Sequence, residues 1–305
     1  MGLPVFSHSA CLAHDTGPMH AECAARLEAV TRGLRDSYAD LEWIDAPRAS
    51  RGQLLRVHTE ALLHAVLETR PHDRIWLDPD TVLSPASAEA GLRAAGAVVA
   101  AVEMVLNGEA KRAFCAVRPP GHHATTCAPM GFCLFNSIAV GAAHALDKFG
   151  LSRIVIADFD VHHGNGTQAI FDHEPRVVFA SSHQMPLYPD SGHVDDRGVN
   201  NIFNAPLPPG AGSEQFRETW TNRLLPQLDA FRPQLVMISA GFDAHRLDPL
   251  AQLQLDAADF AWITRELVAI ADRHADGRVV SSLEGGYDLQ ALRESAIAHV
   301  GALRG

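Results

Sequence analysis

Along the chain, short β-branched runs alternate with longer Ala- and Leu-rich segments. Ala113–Val117 (AFCAV), Arg153–Ala157 (RIVIA), Arg176–Ala180 (RVVFA), Leu235–Ser239 (LVMIS) and Arg278–Ser282 (RVVSS) lack a polar/apolar alternation. That pattern predicts strands covered on both faces of a sheet. Between them the spacing predicts helices. Ser87–Leu106 is Ala-rich and ends at Asn107-Gly108, and Asn136 can cap a helix that ends near Phe149, with Gly150 just beyond. Ser213 can cap a helix running towards Leu225. Asp256–Ala275 repeats apolar residues at Phe260, Ile263, Leu267 and Ile270 before Gly277. Strands alternating with helices imply an α/β fold, a three-layer α/β/α sandwich with a mainly parallel central sheet. Pro186–Gly198 and Pro206–Gly212 read as surface loops. No repeat or low-complexity linker divides the chain, so residues 1–305 are expected to form one domain.

Composition narrows the function classes. With 47% hydrophobic and 20% charged residues the chain is globular rather than disordered or fibrous. A net charge of -11 disfavours nucleic acid as a partner and suits a cationic substrate. The most apolar stretch, Ala94–Leu106, is short and contains Glu103, so no membrane span is expected. The start, MGLPVFSHSACLAHD, lacks the basic and long apolar regions of a signal peptide. The five cysteines (Cys11, Cys23, Cys115, Cys127, Cys133) are odd in number and form no CxxC, which fits reduced thiols and a cytoplasmic protein. Most of the 17 histidines are expected at the surface.

In open parallel sheets, ligands bind beyond the carboxyl ends of the strands. Four predicted strands are followed there by chemistry-bearing loops: RPPGHH (Arg118–His123), DFDVHHGNG (Asp158–Gly166), AGFDAH with Asp243, and LEGGYD with Tyr287. Asp160 and His162 stand on alternate residues of an extended segment and so point to one side, a tight metal-ligand spacing. Asp243 can complete a three-ligand set that leaves a position open for water or substrate, as catalytic zinc requires. The oxygen-rich set would also accept Fe²⁺, Mn²⁺ or Co²⁺. His122 and His123 are adjacent imidazoles suited to general acid–base work, with Asp158 and Asn165 as candidate partners for their second nitrogens. A charged Asp partner would raise its histidine's pKa and a neutral Asn much less, separating a permanently charged ring from a titrating one. The Tyr287 phenol could stabilise a developing oxyanion. No GxSxG, P-loop or strand-linked GxGxxG occurs.

RPPGHHA, GFCLFN, DFDVHHGNGTQ, SAGFDAH and LEGGYD together resemble the zinc-dependent histone deacetylase family, which includes bacterial histone-deacetylase-like amidohydrolases and acetylpolyamine amidohydrolases. The similarity runs from HDTG (His14–Gly17) to the C-terminus and implies the arginase/deacetylase fold. It implies that Asp160, His162 and Asp243 hold Zn²⁺, that water activated there attacks an amide carbonyl, and that Tyr287 polarises that carbonyl. His123 would take the water's proton and later protonate the leaving amine. His122, partnered by Asp158, would stay cationic. Asn165 stands where class II relatives carry Asn and class I relatives Asp. A structural K⁺ is implied as well, held by Asp158, the main-chain oxygens of Asp160 and His162, and the Ser181 hydroxyl. Gly131 and Phe132 match one wall of the family's acyl-lysine tunnel and Tyr188 the other. Asp80, in LDPDTV, matches a rim carboxylate that holds substrate backbone.

Departures from the family pattern fall on the rim. HPExPxRL here reads HAECAARL (His20–Leu27), and PGTG reads PDSG (Pro189–Gly192). Leu250 stands where a polyamine-selective relative has a gatekeeping Glu. The resemblance therefore implies hydrolysis of acyl-lysine in a peptide or protein first and of an acetylated polyamine second. An arginase-like ureohydrolase and a non-catalytic acyl-binding module are the remaining alternatives. Oligomeric state is not legible.

Overall fold

The computed structural model describes residues 2–305. In chain order the elements are β1 (Pro4–Ser7), α1 (Ala24–Ser37), β2 (Glu42–Asp45), α2 (Arg51–Leu54), α3 (Glu60–Leu63), β3 (Ile75–Trp76), β4 (Val82–Leu83), α4 (Ser87–Leu106), β5 (Arg112–Cys115) and α5 (Ser137–Lys148). They continue with β6 (Ile154–Asp158), α6 (Asn165–Phe171), β7 (Val177–Gln184), β8 (Ile202–Leu207), α7 (Ser213–Thr219), α8 (Leu225–Phe231), β9 (Leu235–Ala240), α9 (Ala257–His274), β10 (Val279–Leu283) and α10 (Leu289–Arg304).

Eight strands form one parallel sheet in the order β2-β1-β5-β10-β9-β6-β7-β8, and β3 pairs with β4 in a separate antiparallel hairpin. Strands β6, β7, β9 and β10 are buried at every position. Helix α10 packs on both α1 and α9, and α4 on α5, in helical layers that flank the sheet. All five predicted strands are present, shifted by at most a few residues. The sequence pattern did not signal β1, β2 and β8. The first two are four residues long, and β8 contains Pro206. Pro206 and Leu207 thus belong to a strand rather than to a surface loop. Pro206 is tolerated because β8 is an edge strand.

The helix expectations hold, with one correction. Asn136 caps α5 by accepting from the Ala139 amide at 3.0 Å. Gly212, not Ser213, takes the cap position of α7, and the Ser213 hydroxyl instead donates to Asp259 at 2.6 Å. The helix also runs past Leu225, through a wide turn at Trp220–Leu224 and on to Phe231. Pro226 lacks an amide and crowds the preceding turn, and the wide turn opens that turn.

The surface expectation for histidine is overturned: ten of the 17 are buried, including His58, His144 and His299, which belong to none of the predicted site motifs. Each has a local reason. His58 donates from Nδ1 to the Thr125 carbonyl at 3.0 Å while Nε2 accepts the Asn136 amide at 2.9 Å. His299 sits between the hydroxyls of Thr264 and Ser281, at 2.6 and 2.8 Å, with Phe114, Phe159 and Phe242 around it. Burial pushes the pKa of His58 down to about 4 and that of His299 to about 3. An unfolded chain protonates these rings near pH 6.5. The folded values lie lower, so the stability they contribute is complete above pH 6.5 and is lost as pH falls towards the folded values. Replacing His299 with Gln is therefore expected to flatten the acid side of the stability curve. The slope between pH 6 and 4.5, from urea midpoints, should be shallower by up to about 1.4 kcal/mol per pH unit. Equal slopes in the two proteins would mean that His299 is protonated in the fold.

Candidate active site

The four loops singled out in the sequence leave β5, β10, β9 and β6, which are four consecutive strands of the sheet. Their carboxyl ends meet in one place. The chain achieves this by inserting its last two strands between β5 and β6.

The metal-ligand candidates come together. Asp160, His162 and Asp243 are buried, and one ligand atom from each lies within 4.8 Å of the others. His162 Nδ1 stands 3.1 Å from Asp160 Oδ1 and 3.2 Å from Asp243 Oδ2. Main-chain amides fix both carboxylates: His162 and Gly285 donate to Asp160 at 2.9 Å each, and Val161 donates to Asp243 at 2.8 Å. A side chain on Gly285 would collide with both carboxylates, so only glycine lets this strand end approach them. The donor chemistry fits a divalent ion: two anionic oxygens and one imidazole nitrogen converge, and His122 is a single cation beside the two carboxylates. Burial opposes charge on His162, yet the two carboxylates hold its pKa up at about 10, so the cluster calls for a positive charge at this point.

The two adjacent histidines have different partners. His122 Nδ1 meets Asp158 Oδ2 at 3.0 Å, and its Nε2 faces Asp160 Oδ2 at 3.8 Å. Burial works against its charge, but Asp160 and Asp158 outweigh burial and raise its pKa to about 10. His123 Nδ1 meets Asn165 Oδ1 at 2.7 Å. With that oxygen as acceptor, the ring proton is assigned to Nδ1 and the lone pair to Nε2. Burial, then the neighbouring His122 and His162, press the His123 pKa well below its ordinary value. One imidazole is thus a fixed cation and the other a neutral base, 4.0 Å apart between ring centres.

Tyr287 closes the far side. Its ring lies 4.8 Å from the Arg26 guanidinium and 5.8 Å, edge-on, from Phe132. Burial raises its pKa well above the ordinary phenol value, so its hydroxyl remains a proton donor. Of the wall residues, Phe132 stands by Tyr287, and Tyr188 stands edge-on to His123 at 5.3 Å. Gly131 and Phe132 both have positive φ, 55° and 68°, and a side chain at Gly131 would strike the His123 ring. The other candidates lie further out. Leu250 is half-buried, and its amide is held by Asp248 at 3.0 Å. Asp80 uses Oδ1 to accept the Gly131 amide at 3.1 Å, so it braces the Gly131–Phe132 segment. Ser181 is the register partner of Asp158 on the neighbouring strand, and its hydroxyl meets His183 Nδ1 at 2.9 Å.

Several structural side chains escaped the sequence reading. Glu284 is buried and joins two of the catalytic loops, accepting the amides of Gly121 at 2.6 Å and His122 at 3.2 Å. Asp248 accepts the Tyr287 amide at 2.8 Å. Arg26 donates to the carbonyls of Glu284 and Gly286, and it shares Glu22 with Arg118 in a fully buried cluster. The only signal for these residues was a charge inside a loop motif, which does not distinguish a buried brace from a solvated residue.

Fold and site together place the chain in the arginase/deacetylase fold class. The crystal structure of the HDA15 HD domain superposes with a TM-score of 0.94 at 33% identity, covering 100% of this chain and 88% of that one. The histone deacetylase domain family matches residues 20–303. A probable deacetylase of Archaeoglobus fulgidus is 38% identical over 98% of this chain and 85% of its own. A histone deacetylase-like amidohydrolase of Pseudomonas aeruginosa is 41% identical over 82% of this chain and 67% of its own. The chain belongs to the histone deacetylase family, whose members are hydrolytic deacetylases of acetylated amines such as acyl-lysine.

Proposed function

We propose that this chain is a metal-dependent deacylase of N-ε-acyl-lysine in peptides or proteins. The observation that carries this reading is the Asp160–His162–Asp243 cluster set beside two imidazoles with different partners, a carboxylate for His122 and an amide oxygen for His123. Zinc suits the nitrogen and oxygen donors best, and Fe²⁺ or Co²⁺ would substitute. When bound, such an ion supplies Lewis acidity, polarising the amide carbonyl and acidifying a water that reaches it.

The chain's own groups do the rest. Gly131, Phe132 and Tyr188 flank the acylated side chain. His123 Nε2 accepts a proton from the attacking water, and the same nitrogen returns it to the amine as the carbon–nitrogen bond breaks. His122, kept cationic by Asp158, stabilises negative charge on the tetrahedral centre. The Tyr287 hydroxyl donates to the carbonyl oxygen as it gains charge. A potassium ion beside Asp158 belongs to the same reading. His183 donates from Nε2 to the Gly192 carbonyl at 2.9 Å, so its Nδ1 accepts the Ser181 hydroxyl and leaves the Ser181 lone pairs free for a cation.

Two alternatives are weaker. A two-metal ureohydrolase needs bridging carboxylates. Among the described residues, a single candidate three-residue cluster is present. A non-catalytic binder would not need His123 and Tyr287 in these positions. The test offers zinc-loaded protein an acetyl-lysine peptide alongside acetylated putrescine and spermidine. Faster turnover of the peptide is expected, as measured by amine release. Faster turnover of the polyamine would move the substrate assignment to small amines. No turnover of either by metal-loaded protein would favour the binder.

A further inference from the structure

A line of aromatic rings runs from the catalytic tyrosine to solvent. Phe132 follows Tyr287, His20 stands edge-on to Phe132 at 4.8 Å, and Trp76 lies 6.3 Å beyond His20. Trp76 is 60% exposed and Met19, next to His20 in the chain, is 94% exposed. The line of rings thus ends in exposed apolar surface.

Trp76 is not on a free loop. It belongs to β3, and the turn that follows is closed by the Leu77 amide donating to Thr81 at 2.8 Å. His20 accepts the Glu22 amide on Nδ1 at 3.1 Å, so its proton sits on Nε2 and is donated to the Asp80 carbonyl at 3.1 Å. Asp80 Oδ1 and Thr81 Oγ1 accept the amides of Gly131 and Phe132, each at 3.1 Å. The hairpin is thus tied to the Gly131–Phe132 segment.

The same turn carries two carboxylates. Asp78 Oδ1 accepts the Asp80 and Thr81 amides, at 2.9 and 2.6 Å. Burial and the nearby Asp78 raise the Asp80 pKa above its ordinary value, so a cation there would relieve the pair. The arginine on this hairpin, Arg74, is engaged elsewhere, with Asp15 and Asp73. An exposed aromatic ring followed in the same turn by two carboxylates, with no arginine or lysine over its face among the described residues, attracts a positive group.

We propose that Trp76, with Asp78 and Asp80, recognises a cationic group of the substrate lying just outside the acyl tunnel. This rests on the deacylase reading above. The cation has two possible sources: an arginine or lysine beside the acyl-lysine of a peptide, or the distal ammonium of an acetylated polyamine.

The experiment compares kcat/KM within two substrate series, for wild type, Trp76→Ala and Trp76→Phe. One series is a set of acetyl-lysine peptides differing only in Arg, Ala or Glu beside the acyl-lysine. The other sets acetylspermidine against an uncharged N-acetylalkylamine of the same length. Wild type is expected to favour the charged member by roughly five- to tenfold, the scale of one exposed cation–ring contact with nearby carboxylates. A preference in the peptide series identifies the flanking side chain, and one in the amine series identifies the distal ammonium. Trp76→Ala should bring the ratio close to one, and Trp76→Phe should keep most of it. Being a ratio within one protein sample, it is insensitive to the fraction of folded enzyme. Equal use of charged and uncharged members by wild type, or a preference that survives Trp76→Ala, overturns the proposal and leaves the deacylase reading standing. Hydrolysis of no substrate in either series removes both.

Discussion

Asp243→Asn is expected to lose bound metal and turnover together while keeping the fold. Asp243 has two separable jobs. Its Oδ1 accepts the Val161 amide at 2.8 Å, and its Oδ2 faces His162 Nδ1 at 3.2 Å. Asn keeps an oxygen for Val161 and replaces the second oxygen with an NH₂ group, which cannot ligate a cation. Ala would remove both groups and strand a buried amide, at a cost of about 1–3 kcal/mol. Asn therefore isolates the ligand role. One carboxylate and one imidazole remain, too few for a tight site in a protein that must compete with water for the ion. Metal content after dialysis, circular dichroism and acetyl-lysine turnover are the three readouts. One full equivalent of zinc retained by a folded Asp243→Asn protein would remove Asp243 from the ligand set.

What the sequence could and could not reveal divides along physical lines. Strands buried on both faces carry an uninterrupted apolar run, and all five such runs are strands. Short strands have too few residues for a pattern, and β8 hid behind Pro206. The loops that follow β5, β6, β9 and β10 were recognisable one by one, because His, Asp and Tyr after a strand are rare enough to notice. Their meeting depends on strand order, and local sequence does not encode that β9 and β10 slot between β5 and β6. For the same reason Asp243 could be a candidate ligand from sequence, while its 3.2 Å approach to His162 belongs to the fold.

The braces were harder to see. Glu284 stood in a motif quoted for its glycines and tyrosine, and its contact with the amides of Gly121 and His122 spans more than 160 residues of chain. The buried Glu22–Arg26–Arg118 cluster pairs charges from the first helix, the segment just before it and the β5 loop. A charged residue in a sequence is solvated by default, and only the partner reveals otherwise. The histidines failed for a related reason. Their frequency suggested a surface role, yet the buried rings found partners, hydroxyls, a carbonyl and an amide for His58 and His299 and carboxylates for His122, His144 and His162. The hairpin bearing Trp76 is two residues per strand and left no periodic trace at all.

Tyr287→Phe is expected to lower kcat by roughly 10²–10³, the scale of removing one oxyanion donor, with metal content and fold unchanged. The substitution deletes one oxygen and leaves the ring. The ring is what the protein holds: Arg26 packs 4.8 Å from it, Phe132 stands edge-on at 5.8 Å, and Asp248 accepts the main-chain amide. None of these contacts needs the hydroxyl, so the phenylalanine should occupy the same position. Burial keeps the phenol protonated, so it donates at every working pH. The loss should fall on kcat more than on KM, because a neutral carbonyl accepts such a bond weakly and a developing oxyanion strongly. It should also be independent of pH between 6 and 9, since the deleted group does not titrate there. A KM rise with kcat preserved would make Tyr287 a binding wall like Phe132. A loss that varied with pH would mean that the phenol takes part in proton transfer, and the acid–base role given to His123 alone would then have to be shared.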